Sequence, residues 1–222
     1  MHSYQHKDWQ GNDIELPSGK VVCVGRNYLD HIKELENDIP EDALLFMKPA
    51  TALADVKNDV VIPEMKGACH NELEIAVLIN KRLTDVMPAQ ATEGIWGYGL
   101  GLDLTLRDLQ DKLKSNGLPW EKAKAFDGSC PLSGFVPAML IPEPEYLKFQ
   151  LNVNGKVRQV GEARMMMREV NQLISEISHH FSLMPGDIVM TGTPKGVGAL
   201  IQGDQLSLSM GTFLSIETQV TF

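Results

Sequence analysis

The apolar positions along this chain fall mostly at strand spacing, with a few stretches at helical spacing. Val21–Gly25 is a short apolar run closed by Gly, which predicts a buried strand. Leu44–Met47 and Val60–Ile62 read as short strands closed by Pro49 and Pro63, and Asn27–Glu36 is polar with a helical look. His70–Asn80 is the most informative strand: Leu73, Ile75, Val77 and Ile79 line one face, and Glu72, Glu74, Ala76 and Leu78 the other. Both faces are apolar at the far end, so the strand is predicted to be covered on both sides. Gly97–Thr105 reads as a Gly-rich strand leading into a helix. Thr105 is its expected N-cap, with Asp108 as a weak capping box and Leu106, Leu109 and Leu113 as its apolar stripe. Gly117-Leu118-Pro119 ends that helix.

Leu151–Val153, Asn154-Gly155 and Lys156–Gln159 predict a hairpin, because Asn-Gly suits a type I′ turn. Val170, Leu173, Ile174, Ile177 and Phe181 mark an amphipathic helix. Gly186-Asp187 and Gly203-Asp204 each introduce a strand. The last residues alternate, with Leu214, Ile216, Val220 and Phe222 on one face and Ser215, Glu217, Gln219 and Thr221 on the other. Many strands and about three helices, without regular alternation, exclude a doubly wound sheet. Residues 1–19 read as a loosely organised lead-in, and 20–222 as one domain.

With 43% hydrophobic and 22% charged residues, the 222-residue chain has the make-up of a globular protein. Its formal net charge of −9 argues against a nucleic-acid partner, since phosphate binding needs a basic face. It leaves an anionic small-molecule substrate open, because a cation can reverse the sign inside one pocket. Met1–Gln10 is polar rather than signal-like, and no run approaches the roughly 18 apolar residues of a spanning helix, so no membrane is expected. Cys23, Cys69 and Cys130 are odd in number and widely spaced, which suits neither a disulfide framework nor a Cys zinc site. The expectation is a reduced, cytoplasmic protein.

Glu72 and Glu74 share a strand face. Two carboxylates about 5 Å apart repel by about 3 kcal/mol at an effective dielectric near 20. Taken alone, Glu-x-Glu is an ordinary solvated strand end, but Ala76 and Leu78 on the same face count against that, and a hard cation such as Mg²⁺ would resolve the repulsion. Asp103, near the end of the Gly-rich strand, is a candidate third ligand, explained equally well by the helix that follows it. Arg107 and Gln110 share one side of that helix, as a polar flank or as partners for a keto carboxylate. His31 and Glu34 stand at i, i+3, either as a surface pair or as a general base oriented by a carboxylate. Lys124 is placed to stabilise developing negative charge only if a metal-bound enolate lies beside it. Thr191–Gly198 is Gly-rich but lacks Walker A spacing, which excludes nucleotide phosphate binding and leaves a turn presenting N–H groups to a small anion.

Six stretches, in order, together resemble the fumarylacetoacetate hydrolase family, in particular its short acylpyruvase-like branch. They are Gly25–Tyr28 with His31 and Glu34; Leu45–Pro49; His70–Glu74; Gly97-Tyr98 through Asp103–Gln110; Gly117–Trp120 through Lys124–Asp127; and Thr191–Gly198. The resemblance implies an α+β fold, a β-rich mixed β-roll or sandwich with a few helices, forming a homodimer. It implies Mg²⁺, with Mn²⁺ as a substitute, held by Glu72, Glu74 and Asp103. It assigns His31 and Glu34 to a water-activating dyad on a lid, and Lys124, Arg26, Arg107, Gln110, Gly192 and Thr193 to the substrate's surroundings. The activity it implies is hydrolysis of the C–C bond of acylpyruvate-type β-diketo acids to pyruvate and a carboxylic acid. The same site could also act on oxaloacetate; an isomerase or decarboxylase of 2-hydroxyhepta-2,4-diene-1,7-dioate type, or an oxaloacetate tautomerase, stands second. A catalytically dead metal-binding module is the non-enzyme reading.

Overall fold

All seven residues of the strand Leu73–Ile79 are buried, as its two apolar faces predict. A computed structural model describes residues 4–34 and 42–222, and of residues 31–33 the backbone alone. Among the described residues this strand is the fourth in a mixed sheet of eight. The order is Leu45–Lys48, Val21–Val24, Ile188–Met190, Leu73–Ile79, Ile95–Leu102, Cys130–Leu132 and Leu53–Asp55, with Val136–Pro137 joined to Ile95–Leu102. Val21–Val24 runs parallel to Ile188–Met190, and Leu53–Asp55 parallel to Cys130–Leu132; the other pairs are antiparallel. A second sheet orders Lys156–Glu162, Lys148–Val153, Gln205–Met210, Leu214–Thr221 and Val60–Val61. A third, of three short strands, orders Gly198–Ala199, Cys69–Asn71 and Thr105–Leu106.

The large sheet lies between two cores. Leu73, Ile75, Val77 and Ile79 face the larger one, shared with Phe149, Leu151 and Leu208 of the five-stranded sheet and with Leu173, Ile174 and Ile177 of the helix Val170–His180. Ala76 and Leu78 face the smaller one, with Ile14, Cys23, Phe46, Cys130, Phe135 and Met190. Each fully buried Leu or Ile contributes about 1.5–3 kcal/mol by leaving water, so both faces of this strand resist slipping in register. Glu72 and Glu74 open onto the smaller core.

Local signals hold at the turns. Asn154 and Gly155 have φ of 51° and 74°, the left-handed pair of a type I′ turn, between Lys148–Val153 and Lys156–Glu162. The helix Arg107–Ser115 closes with Gly117 at φ 64°, Leu118 N–H on Leu113 O and Gly117 N–H on Lys114 O, a Schellman ending. The three cysteines are free and buried.

Several boundaries differ from expectation. The predicted strand His70–Asn80 is two strands in two sheets, broken at Glu72. Thr105 is not the N-cap: Leu106 takes that place without a side-chain bond, and the Thr105 hydroxyl donates to Asp103 O at 3.0 Å. Thr105 and Leu106 are instead drawn into the three-stranded sheet, which supplies their backbone partners. The polar segment after the first strand is helical over Leu29–Glu34, and residues 35 and 36 of the expected helix lie outside the described ones. Phe181 lies beyond its helix and is exposed. Five helices are described rather than about three, because Pro88–Ala91 and Glu121–Lys124 are single turns without a detectable apolar period. Residues 4–19 form no helix or extended strand but are tied down, by an Asp8–Phe135 bridge, by Ile14 in the smaller core and by the buried His6 ring on Gly186 O at 3.0 Å. Among the described residues no helix is long and apolar enough to cross a membrane.

Candidate metal centre and active site

The candidate site lies at the seam where strands pass from the large sheet into the three-stranded one. One chain segment leaves the small sheet at Asn71 and enters the large one at Leu73, so Glu72 falls in the step. Its antiparallel neighbour leaves the large sheet at Leu102 and enters the small one at Thr105, so Asp103 falls in the matching step. The two steps are joined, with Asp103 N–H donating to Glu72 O at 2.8 Å. Thr191–Val197 makes the same passage, from Ile188–Met190 to Gly198–Ala199. Glu74, the first inward position of the large sheet, is in register with Gly101. A Cβ at Gly101 would meet the tip of the Met190 side chain at 2.8 Å, so a larger residue beside Glu74 would require that side chain to move.

Glu72, Glu74 and Asp103 are all buried, and each offers a carboxylate oxygen within 4.8 Å of the others. The Lys124 ammonium bridges Glu72 Oε2 at 2.7 Å and Asp103 Oδ2 at 2.5 Å, and lies 5.0 Å from the centroid of the Phe46 ring. Lys48 pairs with Asp103 Oδ1 at 2.8 Å. Arg107 Nη2 holds Glu72 Oε1 at 2.5 Å, while its Nη1 donates to Gln110 Oε1 at 2.6 Å. Burial pulls the Lys124 pKa down, but the Asp103 and Glu72 charges outweigh it and hold the ammonium well above its ordinary value. Its two carboxylate partners favour the charged ammonium.

Glu74 is different. Among the described residues it forms no ion pair, and it accepts a hydrogen bond from Gly192 N–H on Oε2 at 2.6 Å. Burial first, then the Asp103 and Glu72 carboxylates, push its pKa well above the usual range. A buried carboxylate left without a counter-ion beside two others, all hard oxygen donors, fits a divalent cation of the Mg²⁺ or Mn²⁺ kind.

The structure brings Glu72, Glu74, Asp103, Lys124, Arg107, Gln110 and Gly192 to one place. Gly192 differs from the expectation in what it does, since its N–H goes to Glu74. Its φ of 94° and the Asn27 Cβ 2.8 Å from a would-be Cβ restrict that position to glycine. Thr193 lies alongside, but its hydroxyl donates to Leu73 O and accepts from Gln159 Nε2, both at 2.8 Å, which leaves its main chain to meet a ligand. Glu34, on the helix Leu29–Glu34, accepts the Gly196 N–H on both carboxylate oxygens at 3.1 Å, so that helix is tied to the Thr191–Val197 passage. The His31 side chain lies outside the described ones, and the predicted dyad has no described geometry. Arg26 follows the first strand, near enough to Lys114 to help burial hold that amine below its usual range.

Three residues that sequence reasoning did not single out belong to the site. Lys48 is fully buried and had one signal, a charge in the inward phase of the strand Leu45–Lys48. Gln159 is also buried: its Oε1 accepts from Asn71 Nδ2 at 2.8 Å and Leu73 N–H at 2.9 Å, the residues on either side of Glu72, while its Nε2 reaches Thr193 and Pro194 O. His70, beside Arg107, is held below its usual pKa by burial first and that charge second.

A fold of this kind, with three carboxylates at the seam, is that of a known enzyme family. The family model described as fumarylacetoacetate (FAA) hydrolase C-terminal matches residues 20–221, and the chain belongs to that family. Among curated relatives, it is 49% identical over 207 residues to the oxaloacetate tautomerase YcgM of Escherichia coli K12, covering 93% of this chain and 94% of that protein. It is 44% identical over 200 residues to the mitochondrial oxaloacetate tautomerase of Bos taurus, covering 90% of each. Among solved structures, fumarylpyruvate hydrolase from Pseudomonas aeruginosa, in complex with Mn²⁺ and pyruvate, superposes with a TM-score of 0.93 at 35% identity, covering 100% of this chain and 97% of that one.

Proposed function

We propose that this protein is an oxaloacetate tautomerase, interconverting the keto and enol forms of a pyruvoyl-headed dicarboxylate. The observation that carries this reading is the 49% identity, over nearly the full length of both chains, to an enzyme of that name. It departs from the sequence-based expectation, which put C–C hydrolysis first and named tautomerisation among the alternatives. Charge supports it. Glu72, Glu74 and Asp103 are matched in number by Lys48, Lys124 and Arg107. A bound divalent cation leaves two positive charges, which the two carboxylates of oxaloacetate would neutralise.

Glu72, Glu74 and Asp103 would hold Mg²⁺ or Mn²⁺, whose Lewis acidity favours the enolate form of a keto acid. Lys124 adds a fixed positive charge beside the substrate's C2 oxygen, and Arg107 with Gln110 orients a carboxylate. Tautomerisation then needs a proton moved at C3 and no attacking water. We assign that transfer to His31 with Glu34, whose helix is tied to the Thr191–Val197 passage.

The test follows the decay of freshly dissolved enol oxaloacetate by ultraviolet absorbance on metal-stripped protein, with and without added Mg²⁺. Pyruvate release from acetylpyruvate and from oxaloacetate is measured in parallel. Mg²⁺-dependent enol decay without pyruvate is the expected result. Acetylpyruvate cleavage without tautomerase activity would overturn it in favour of hydrolysis, the reading favoured by the pyruvate-bound neighbour.

A further inference from the structure

We propose that Lys48 is a positioning residue for the carboxylate site: it holds Asp103 by one oxygen and the Lys124 main chain by its carbonyl, so that Asp103 presents only Oδ2 to a bound cation. This rests on Glu72, Glu74 and Asp103 binding a divalent ion, and is independent of which reaction follows.

Lys48 has no solvent exposure at all, although a buried ammonium forfeits its hydration and is retained only with excellent partners. Those partners are all parts of the site. Nζ donates to the carbonyl oxygen of Lys124, to Ser129 O at 3.1 Å and to Ser129 Oγ at 3.2 Å, and it pairs with Asp103 Oδ1 at 2.8 Å. Ser129 Oγ itself donates to Lys124 O at 2.8 Å, which closes a ring between the segment after Lys124 and the ammonium. Asp103 Oδ1 receives no well-formed hydrogen bond among the described residues, and the ion pair with Lys48 is its contact. The other oxygen, Oδ2, faces Lys124 Nζ at 2.5 Å. Lys48 thus stands behind the carboxylates, on the edge strand Leu45–Lys48, and touches both a candidate ligand and the backbone of the fixed cation in front of them.

Two roles for such a residue predict opposite signs. A mere neutralising charge competes with a bound cation for Asp103, so removing it strengthens metal binding. A positioning residue orients Asp103 and Lys124, so removing it weakens binding and slows turnover. Groups that orient metal ligands from behind are worth about 10- to 100-fold in affinity or activity.

The experiment compares wild type, Lys48→Met and Ser129→Ala after chelation. Mn²⁺ affinity is read by titration calorimetry, the symmetry of bound Mn²⁺ by electron paramagnetic resonance, folding by thermal melting, and kcat and KM with oxaloacetate. The expected result is Mn²⁺ affinity lowered about tenfold or more in Lys48→Met, with an altered resonance line shape and kcat reduced far more than KM. Ser129→Ala shifts the same readouts in the same direction by less, and decides the matter if Lys48→Met does not fold. Affinity equal to or above wild type with an unchanged line shape, in whichever variant folds, would overturn the proposal. Absence of Mn²⁺ binding by wild type is a distinct outcome, which overturns the metal assignment beneath it.

Discussion

A buried polar side chain is informative when every one of its atoms is committed, and Gln159 is the example here. Its amide spans Asn71 and Leu73 on one side of the site and Thr193 and Pro194 on the other, so it sets the step that turns Glu72 inward. Gln159→Leu keeps the shape and removes all four bonds. Buried groups left unsatisfied cost about 1–3 kcal/mol each, so a loss of roughly 3 kcal/mol or more in urea unfolding is expected, with weaker Mn²⁺ binding in calorimetry. Unchanged stability and affinity would remove Gln159 from the site. At this scale the sequence was partly legible. Glu72 and Glu74 announced themselves by sharing a face with Ala76 and Leu78. Gln159 and Lys48 did not, because a single polar residue in a strand carries no sign of which groups will meet it.

At the scale of elements, spacing read well wherever one segment decided its own conformation. The Asn154-Gly155 hairpin, the Val170–His180 helix and the C-terminal strand are such cases. Spacing misread the segments that change sheets, because the break at Glu72 and the failure of Thr105 to cap are dictated by partner strands far along the chain. The lead-in is a further case: polar and without period, yet fixed by tertiary contacts. His6 sits between Tyr4 and Phe135, with Nε2 on Gly186 O and Nδ1 unpartnered. Burial holds its pKa below the ordinary value despite the Gly186 and Pro17 carbonyls. Below about pH 6.5 the unfolded chain therefore binds a proton that the folded chain resists. Stability is expected to fall as pH drops from that point toward the lowered folded value, by at most about 1.4 kcal/mol per pH unit from this residue. Melting temperatures recorded from pH 7.5 to 5 should show a shallower acid limb for His6→Gln than for wild type. Parallel acid limbs would show that the lead-in is not held this way.

For the whole molecule, exposed apolar side chains are scattered, Val61, Met65, Met87, Leu118 and Ile201 among them, and one group lies on the side that carries a recess. Met139, Tyr146 and Met165 are exposed, Arg164 lies over the Tyr146 ring, and Ile141, Tyr146 and Phe213 line one recess. We propose that this side is the contact of the expected homodimer, since exposed apolar clusters mark association surfaces. Light scattering should give twice the 24.6 kDa chain mass, and Tyr146→Glu with Met165→Glu should shift it toward one chain. A monomeric wild type would contradict this, and a dimer indifferent to both changes would place the contact elsewhere.

Charge balance, turn chemistry and the period of apolar residues were set by the sequence itself, because each depends on neighbours within a few positions. They determined a β-rich chain with a strand buried on both faces and two carboxylates on one of them, and the order of its motifs pointed to the family. Only the tertiary structure decided that Glu72 and Asp103, 31 positions apart, fall in matching steps between two sheets, and that Lys48 and Gln159 fasten those steps. The physical reason is that a buried charge is tolerable only where the fold assembles its partners, and those partners come from strands that local sequence cannot place side by side.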